Sequence, residues 1–388
     1  MKRIIHGDCL KELKRLNDDS IDLVCTDPPY GYSFMGKNWD KAVPSVEIWK
    51  ECVRVLKPGA FAFIMSAPRQ DVLSQMIVRI AEAGFDTDFT SIYWTYASGF
   101  PKAANIGKMV DRRLGRARNV IGRNPNSREN ATKANSLYEP GTVGKTAHIT
   151  RGNHPLEGSY GGFQPKPAVE VIIVAMKPLS EKTFVDQALK NGKGITWLDD
   201  CRNPIGDESV PRLNKAYKRK GGRNFGDGAD SRLGTITGHE SLGRFAANLL
   251  VDDNVLGDHS RFFAYPFLIT PKASKREKNY GLDGLKDVVL ARSGGAQQAI
   301  KEGRTEYLKD HIGLNRVMRV KNNHPTVKPL KLISYLLTLG SRKGDTVLDP
   351  FLGSGTTCIA AKMLNRNYIG IEREMDYHKI ARARVRAA

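Results

Sequence analysis

At both ends of the chain, short apolar runs alternate with segments whose apolar residues recur at helical spacing. Ile4–His6 predicts a strand and Gly7–Asp8 a turn, and Leu10, Leu13 and Leu16 mark one face of a helix over Cys9–Leu16. Ile21–Cys25 predicts a buried strand, apolar except for Asp22, that runs into Asp27-Pro28-Pro29-Tyr30. Proline cannot continue a central strand, so this tetrapeptide belongs at a strand's C-terminal end. A helix over Ile48–Leu56, closed by Lys57-Pro58-Gly59, leads to a strand over Ala60–Met65, a helix over Asp71–Ala83 and an aromatic-rich strand or hairpin over Phe85–Tyr96. The C-terminal end predicts a helix over Pro329–Leu339, a strand over Asp345–Leu348, a loop over Asp349–Thr357 and a helix over Cys358–Leu364. A strand over Asn367–Ile371 that stops at Glu372 and a helix through Tyr377–Val385 complete it. Strands alternating with helices predict a doubly wound, mostly parallel α/β sheet, whose ligands lie beyond the strand C-termini.

Between these ends the pattern weakens. Residues 98–166 are rich in Gly, Asn, Arg and Lys, Val169–Met176 is again strand-like, and residues 181–321 alternate polar, Gly-rich runs with short apolar pieces such as Phe245–Val251. The expected segments are therefore 1–97, 98–166, 167–180, 181–321 and 322–388.

Charge sharpens this division. The 388 residues carry a formal charge of +20. Residues 1–97 hold 12 basic and 13 acidic groups, whereas residues 98–166 hold 12 and 4. An excess of this size predicts a polyanionic partner, nucleic acid first, with an inert basic surface as the alternative. With 40% hydrophobic and 26% charged residues, the chain is neither collagen-like, mucin-like, wholly disordered nor a strongly acidic solvating protein. Its five cysteines include no CxxC pair, so a cysteine-rich metal site is not expected, and such a sparse set suits a reducing cytoplasm. No N-terminal apolar run suggests a signal peptide, and no apolar stretch approaches a membrane span.

Two constellations carry chemistry. In Asp349-Pro350-Phe351-Leu352-Gly353-Ser354-Gly355-Thr356-Thr357, two glycines between a strand and a helix permit a tight turn and close backbone approach to a ligand. No Lys follows in the manner of a triphosphate loop, Phe351 and Leu352 offer apolar surface for a purine or thioether, and Glu372 closes the next strand, where a carboxylate can accept from ribose hydroxyls. A tight turn without a ligand is the bland alternative. In Asp27-Pro28-Pro29-Tyr30, a carboxylate and a proline carbonyl can both accept from one NH₂ group beside a ring that stacks on a planar base. A Pro-rich strand terminator with a core tyrosine is the bland alternative there.

Together these features resemble the beta class of S-adenosylmethionine-dependent DNA amino-methyltransferases, which methylate adenine N6 or cytosine N4. In that family a D/S-PP-Y motif precedes the FxGxG motif, a circular permutation of the commoner order. Here they are Asp27–Tyr30 and Phe351–Gly355, and His324-Pro325-Thr326-Val327-Lys328-Pro329 matches the family's HPTxKP motif. The resemblance covers roughly 1–97, 167–180 and 322–388, and implies a Rossmann-like methyltransferase sheet, circularly permuted, with a large inserted target-recognition region. It implies S-adenosylmethionine as cofactor, with no metal required. The residues it assigns to the cofactor are Asp8, His324, Thr326, Lys328, Asp349, Phe351, Gly353, Gly355, Thr356 and Glu372. Those it assigns to catalysis are Asp27, Pro28, Pro29 and Tyr30. Its implied partner is double-stranded DNA, with a homodimer and a cognate restriction endonuclease as further candidate partners. It makes 98–166 a DNA-contacting insertion, 167–180 a return strand and 181–321 the target-recognition region.

Asp rather than Ser at position 27 leans toward adenine N6 within the family, with cytosine N4 as the alternative and a non-catalytic nucleic-acid-binding protein as a third reading. Carbon-5 methylation is disfavoured, because no Pro precedes any of the five cysteines. Arg112, Arg113, Arg116 and Arg118 have spacings of a basic helix face, solvated or in contact with phosphate, and Lys218, Arg219, Lys220 and Arg223 form an exposed basic loop. Trp39 is a candidate for a loop over the flipped base or for packing on the domain.

Overall fold

The computed structural model describes residues 2–31, 42–95, 103–123, 148–163, 168–202, 247–251, 272–291, 302–303 and 317–388. These residues fall into two units, one of 1–97, 169–285 and 324–388, the other of 98–168 and 286–323. The strands in chain order are β1 (Lys2–His6), β2 (Ile21–Thr26), β3 (Leu56–Ser66), β4 (Ile92–Thr95), β5 (Asn119–Arg123), β6 (His148–Arg151), β7 (Val169–Met176), β8 (Leu249–Leu250), β9 (Val288–Ala291), β10 (Val317–Val320), β11 (Thr346–Asp349) and β12 (Asn367–Glu372).

The first unit holds an eight-stranded sheet in the order β1-β12-β11-β2-β3-β7-β4-β8. From β1 to β3 every pair is parallel, while β7 runs antiparallel to both β3 and β4. The C-terminal pair β11–β12 is thus inserted between β1 and β2, so that one sheet is built from both ends of the chain. This is the mostly parallel, permuted α/β sheet that the strand–helix alternation and the motif order predict; the reversed direction of β7 is additional.

Each half of the chain covers one face of the sheet. The helix Val46–Val55 buries Trp49, Cys52 and Val55, and Gln70–Glu82 buries Val72, Met76 and Ile80, so both present one apolar stripe at three- to four-residue spacing. These residues pack with Val24, Ala62, Ile64 and Leu348 on one side of the sheet. On the other side Leu23, Phe61, Phe63 and Val347 meet the helices Leu330–Gly340, Thr356–Met363 and Met375–Ala387. Leu330–Gly340 is apolar around most of its circumference, and seven of its eleven residues are buried. Burying each large side chain contributes about 1.5–3 kcal/mol.

Three local expectations differ from what forms. Lys57-Pro58-Gly59 does not separate helix from strand; β3 starts at Leu56, and its register against β2 shifts between Ile21 and Leu23. The shift is an irregularity that places three extra residues in β3, held by specific contacts. Gly59 has φ +78° and packs against the backbone of Gly194, and the Lys57 ammonium reaches Asp22 at 2.6 Å. That ion pair, with Lys193 at 2.9 Å and the N–H of Thr346 donating at 2.8 Å, satisfies the one acid in the otherwise apolar β2. Among the described residues of Phe85–Tyr96, only Ile92–Thr95 is strand; Asp86 makes an isolated bridge with Met176. The basic face expected over Arg112–Arg118 is not one helix, because the helix Ile106–Arg113 ends first and Arg118 turns inward.

The second unit contains the helix Ile106–Arg113 and the antiparallel pairs β5–β6 and β9–β10. Arg118 organises it. Its guanidinium bonds the buried Asp111, Glu157 at 2.6 Å and the Thr150 carbonyl at 3.1 Å. Hydrogen bonds to two carboxylates hold this guanidinium even further above neutrality than usual.

The packing of β12 leaves no room at Gly370. A Cβ there would lie 2.6 Å from Leu352 and 2.8 Å from the Cys358 sulfur. Gly370→Ala is expected to destabilise the protein by about 1–3 kcal/mol through overpacking, read as a lower denaturation midpoint at unchanged m-value.

Candidate active site

Connections leave the adjacent strands β11 and β2 in opposite directions. β11 continues through Thr356–Met363 into β12 on one side, and β2 through Val46–Val55 into β3 on the other. A doubly wound sheet opens its ligand crevice at such a point, beyond the strand C-termini. The residues that leave these two strands are Asp27-Pro28-Pro29-Tyr30 and Asp349-Pro350-Phe351. A buried hydrogen bond ties the strand ends together, with Thr26 Oγ1 donating to Asp349 Oδ1 at 2.6 Å.

On the β11 side, Gly353 and Gly355 have φ +55° and +89°. A Cβ at Gly353 would meet His324 Nε2 at 2.7 Å, and one at Gly355 would meet the Ala381 backbone at 3.1 Å, so glycine is required by conformation and by space together. The Gly353 N–H donates to Glu372 Oε2 at 2.8 Å, and the Glu374 N–H to Glu372 Oε1 at 2.7 Å. Despite these two bonds, burial lifts the Glu372 carboxyl to about 7, with Glu374 and Asp349 adding to the rise. Burial likewise lifts Asp349 to about 6, against the hydrogen bonds from Thr26, Thr357 and the Phe351 N–H, and Asp27 adds to the rise. Asp8 caps the helix Cys9–Leu13, accepting from the Lys11 N–H at 3.2 Å, and the Gly7 N–H donates to the Glu372 carbonyl at 3.0 Å. Asp8 therefore lies next to the Glu372 end of the crevice. Phe351 is half-buried against Trp49, with ring centroids 6.2 Å apart.

On the β2 side, Asp27 has both oxygens engaged. The Tyr30 hydroxyl donates to Oδ1 at 2.5 Å and Lys328 Nζ donates to Oδ2 at 2.6 Å. Pro28 is buried, and Pro29 and Tyr30 are half-buried. The segment His324–Pro329 spans both sides. His324 packs on Gly353 and edge-on to Tyr377 at 4.6 Å, Thr326 is exposed, and Lys328 crosses to Asp27. Lys328, grouped with the cofactor residues by the HPTxKP resemblance, thus has its ammonium on the DPPY carboxylate.

Thr356 begins its helix behind the glycine loop, where the buried Arg384 donates to Ser354 O at 2.6 Å and lies 3.4 Å from Thr356 Oγ1. Burial lowers that guanidinium to about 10. Sequence reasoning missed Thr26, Arg384 and Glu170. Glu170 carried one legible signal, a single charge in the apolar run of β7. Cys25 is fully buried, and burial, followed by Asp349 and Asp27, pushes its thiol well above the usual range.

The remaining candidates lie elsewhere. Arg112, Arg113 and Arg116 are exposed in the second unit, whereas Arg118 is committed to Asp111 and Glu157. Lys218, Arg219, Lys220, Arg223 and Trp39 fall outside the described residues. Among the described residues there is no cluster of His, Cys, Asp and Glu able to hold a metal ion, and no helix long and apolar enough to cross a membrane.

The sequence pattern of the N6/N4 family, described as DNA methylase, matches residues 21–383. The chain belongs to this DNA methylase family. Local similarity to curated members is strong but short. The chain is 47% identical over 66 residues to the type II methyltransferase M2.MboI of Moraxella bovis, covering 17% of this chain and 24% of that protein. It is 46% identical over 81 residues to M.HinfI of Haemophilus influenzae, covering 21% of each. The aligned stretches therefore span a quarter or less of those relatives. Among solved structures, PvuII DNA methyltransferase (cytosine-N4-specific) is similar at 16% identity and TM-score 0.44, over 98% of this chain and 85% of that one. The M1.HpyAVI–SAM complex is similar at 15% and 0.39, over 99% and 100%.

The raised Glu372 gives this member of the family a pH signature. A carboxyl whose native pKa lies above its unfolded value contributes stability that is complete below about 4.5 and lost as pH rises through about 7. Between those limits the wild type is expected to lose about 2 kcal/mol more unfolding free energy than Glu372→Gln, measured by urea denaturation at each pH.

Proposed function

We propose that this DNA methylase transfers a methyl group from S-adenosylmethionine to the exocyclic N6 of an adenine flipped out of duplex DNA. The observation that carries the reading is the adjacency of the two loops. The DPPY carboxylate and the glycine loop leave neighbouring strands that the Thr26–Asp349 bond holds at one crevice.

The glycine side fits the cofactor on physical grounds. Glu372 is a buried acceptor with one backbone N–H on each oxygen, and a pair of ribose hydroxyls would add donors to a carboxyl that burial raises. Phe351 offers an apolar ring at the start of the glycine loop. Asp8, His324, Asp349, Gly355 and Thr356 would complete that side. S-adenosylmethionine, when bound, supplies an electrophilic methyl group.

The chain's own residues then act on the target amine. An exocyclic amine is shielded within the duplex, so the nucleotide must be extruded at a cost of a few kcal/mol. Stacking on the Tyr30 face, together with hydrogen bonds from the amine to Asp27 and the Pro28 carbonyl, offsets part of that. The Tyr30 hydroxyl fixes the Asp27 carboxylate through Oδ1, so the acceptor is oriented before the base arrives. Accepting from both amine hydrogens favours a more tetrahedral, nucleophilic nitrogen. Asp27 acts mainly as an orienting and electrostatic group, and accepts the proton released as the product forms. Asp at position 27, where the family pattern allows Asp or Ser, is what favours adenine over cytosine.

Nucleoside analysis of DNA incubated with the protein and labelled S-adenosylmethionine is expected to yield N6-methyladenine. N4-methylcytosine would reassign the base, and no methylated nucleoside would remove the enzyme reading. Asp27→Ala is expected to lower kcat by about 10²-fold or more while leaving S-adenosylmethionine affinity within about twofold; equal loss of both would count against this division of roles. Replacing Arg112, Arg113 and Arg116 together is expected to flatten the salt dependence of DNA binding, by up to about 0.9 in the log–log slope for each phosphate that is no longer neutralised. An unchanged slope removes these arginines from the phosphate footprint.

A further inference from the structure

Lys328 sits where the proposed substrate has to go. Its ammonium donates to Asp27 Oδ2 at 2.6 Å and lies 5.7 Å from the centroid of the Tyr30 ring. Those are the acceptor assigned above to the target amine and the face assigned to the target base. On its other side the ammonium is 3.2 Å from Glu170 Oε2, so two carboxylates flank one buried cation.

The two contacts are unequal. The bond to Asp27 is short and aligned. Glu170 Oε2 is buried and, although close to the ammonium, is not engaged in an aligned hydrogen bond among the described residues. Glu170 is therefore the longer-range of the two counter-ions, with the ammonium already within reach. Burial disfavours the Lys328 ammonium, but Asp27 and Glu170 outweigh it and hold the group charged above its ordinary range. Moving Lys328 off Asp27 with no second counter-ion would leave a charged group unpaired in the protein, which is strongly unfavourable. Glu170 lies on β7, on the far side of β3 from β2, and its carboxylate meets the Asp27 side at Lys328.

We propose that Glu170 is a positioning residue for methyl transfer, receiving the Lys328 ammonium when the target amine claims Asp27 Oδ2. The ammonium then exchanges a short bond to Asp27 for an aligned one to Glu170. Asp27 is paired before the base enters and becomes available as it enters, and no charge is added to or removed from the pocket. This rests on the assignment of Asp27 to the target amine.

The test uses the full chain and DNA carrying 2-aminopurine next to the adenine that the wild type methylates, its fluorescence rising when that adenine leaves the stack. Glu170→Gln keeps the shape and removes the charge. It is expected to lower kcat by at least about tenfold, within the range of coupling inside one ion network, and to diminish the 2-aminopurine enhancement. S-adenosylmethionine affinity should stay within about twofold. Adding Lys328→Met to Glu170→Gln removes the ammonium that must be displaced, and is expected to restore part of the fluorescence enhancement. Glu170→Asp, which keeps the charge, is expected to fall between wild type and Glu170→Gln, and carries the test if Glu170→Gln does not fold. Unchanged kcat and fluorescence in Glu170→Gln would overturn the proposal. So would a parallel loss of S-adenosylmethionine binding, which would put Lys328 and Glu170 on the cofactor side. Failure of the underlying reading is separate: the wild type itself would then methylate no DNA.

Discussion

The pairing of β11 with β2 governs this fold. These strands come from opposite ends of the chain, and the Thr26–Asp349 bond that joins them links residues 323 positions apart. Only Val347–Leu23 and Leu348–Val24 are in direct register. Side chains clamp the pair at both ends. At one end Thr26 donates to Asp349, and at the other Asp22 accepts from the Thr346 N–H, with Lys193 bonded to both Asp22 and Asp345. Parallel neighbours normally come from one continuous crossover, whose loop entropy is modest. Here tertiary contacts provide the closure, and the diverging connections open the crevice.

The crevice separates its acids by environment. Asp27 is paired with an ammonium and a phenol, whereas Asp349 and Glu372 are lifted by burial to about 6 and about 7. Carboxyl groups whose surroundings are this different are suited to different tasks. Hydroxyl donors bound at Glu372 would favour its ionised form, and an amine approaching Asp27 meets an acceptor already oriented. The segment His324–Pro329 couples the two environments, since His324 packs on the glycine loop and Lys328 on Asp27.

Much of this was legible in the amino-acid order. Short apolar runs and period-3.6 patterning located β1, β2, β11, β12 and the helices around them to within a few residues, because those elements are buried. Asp27–Tyr30 and Gly353–Gly355 were recognisable because proline and glycine restrict backbone conformation locally. Where local patterning misled, non-local contacts had intervened. Lys57–Gly59 became an irregular part of β3 because Asp22, Lys177 and Gly194 hold it. Arg118 was drawn inward because Asp111 and Glu157 offered a paired site that no helical spacing encodes.

The elements, the order of the motifs and the chemistry available at each strand end are written in the linear chain, since they follow from neighbouring residues and local sterics. Three features arise only on folding: β7 runs backwards between β3 and β4, Asp349 and Glu372 lose their usual acidity, and Lys328 and Glu170 join the Asp27 side. Strand direction, desolvation and ion pairing all depend on which distant groups meet, and Lys328 meets a partner 301 positions away.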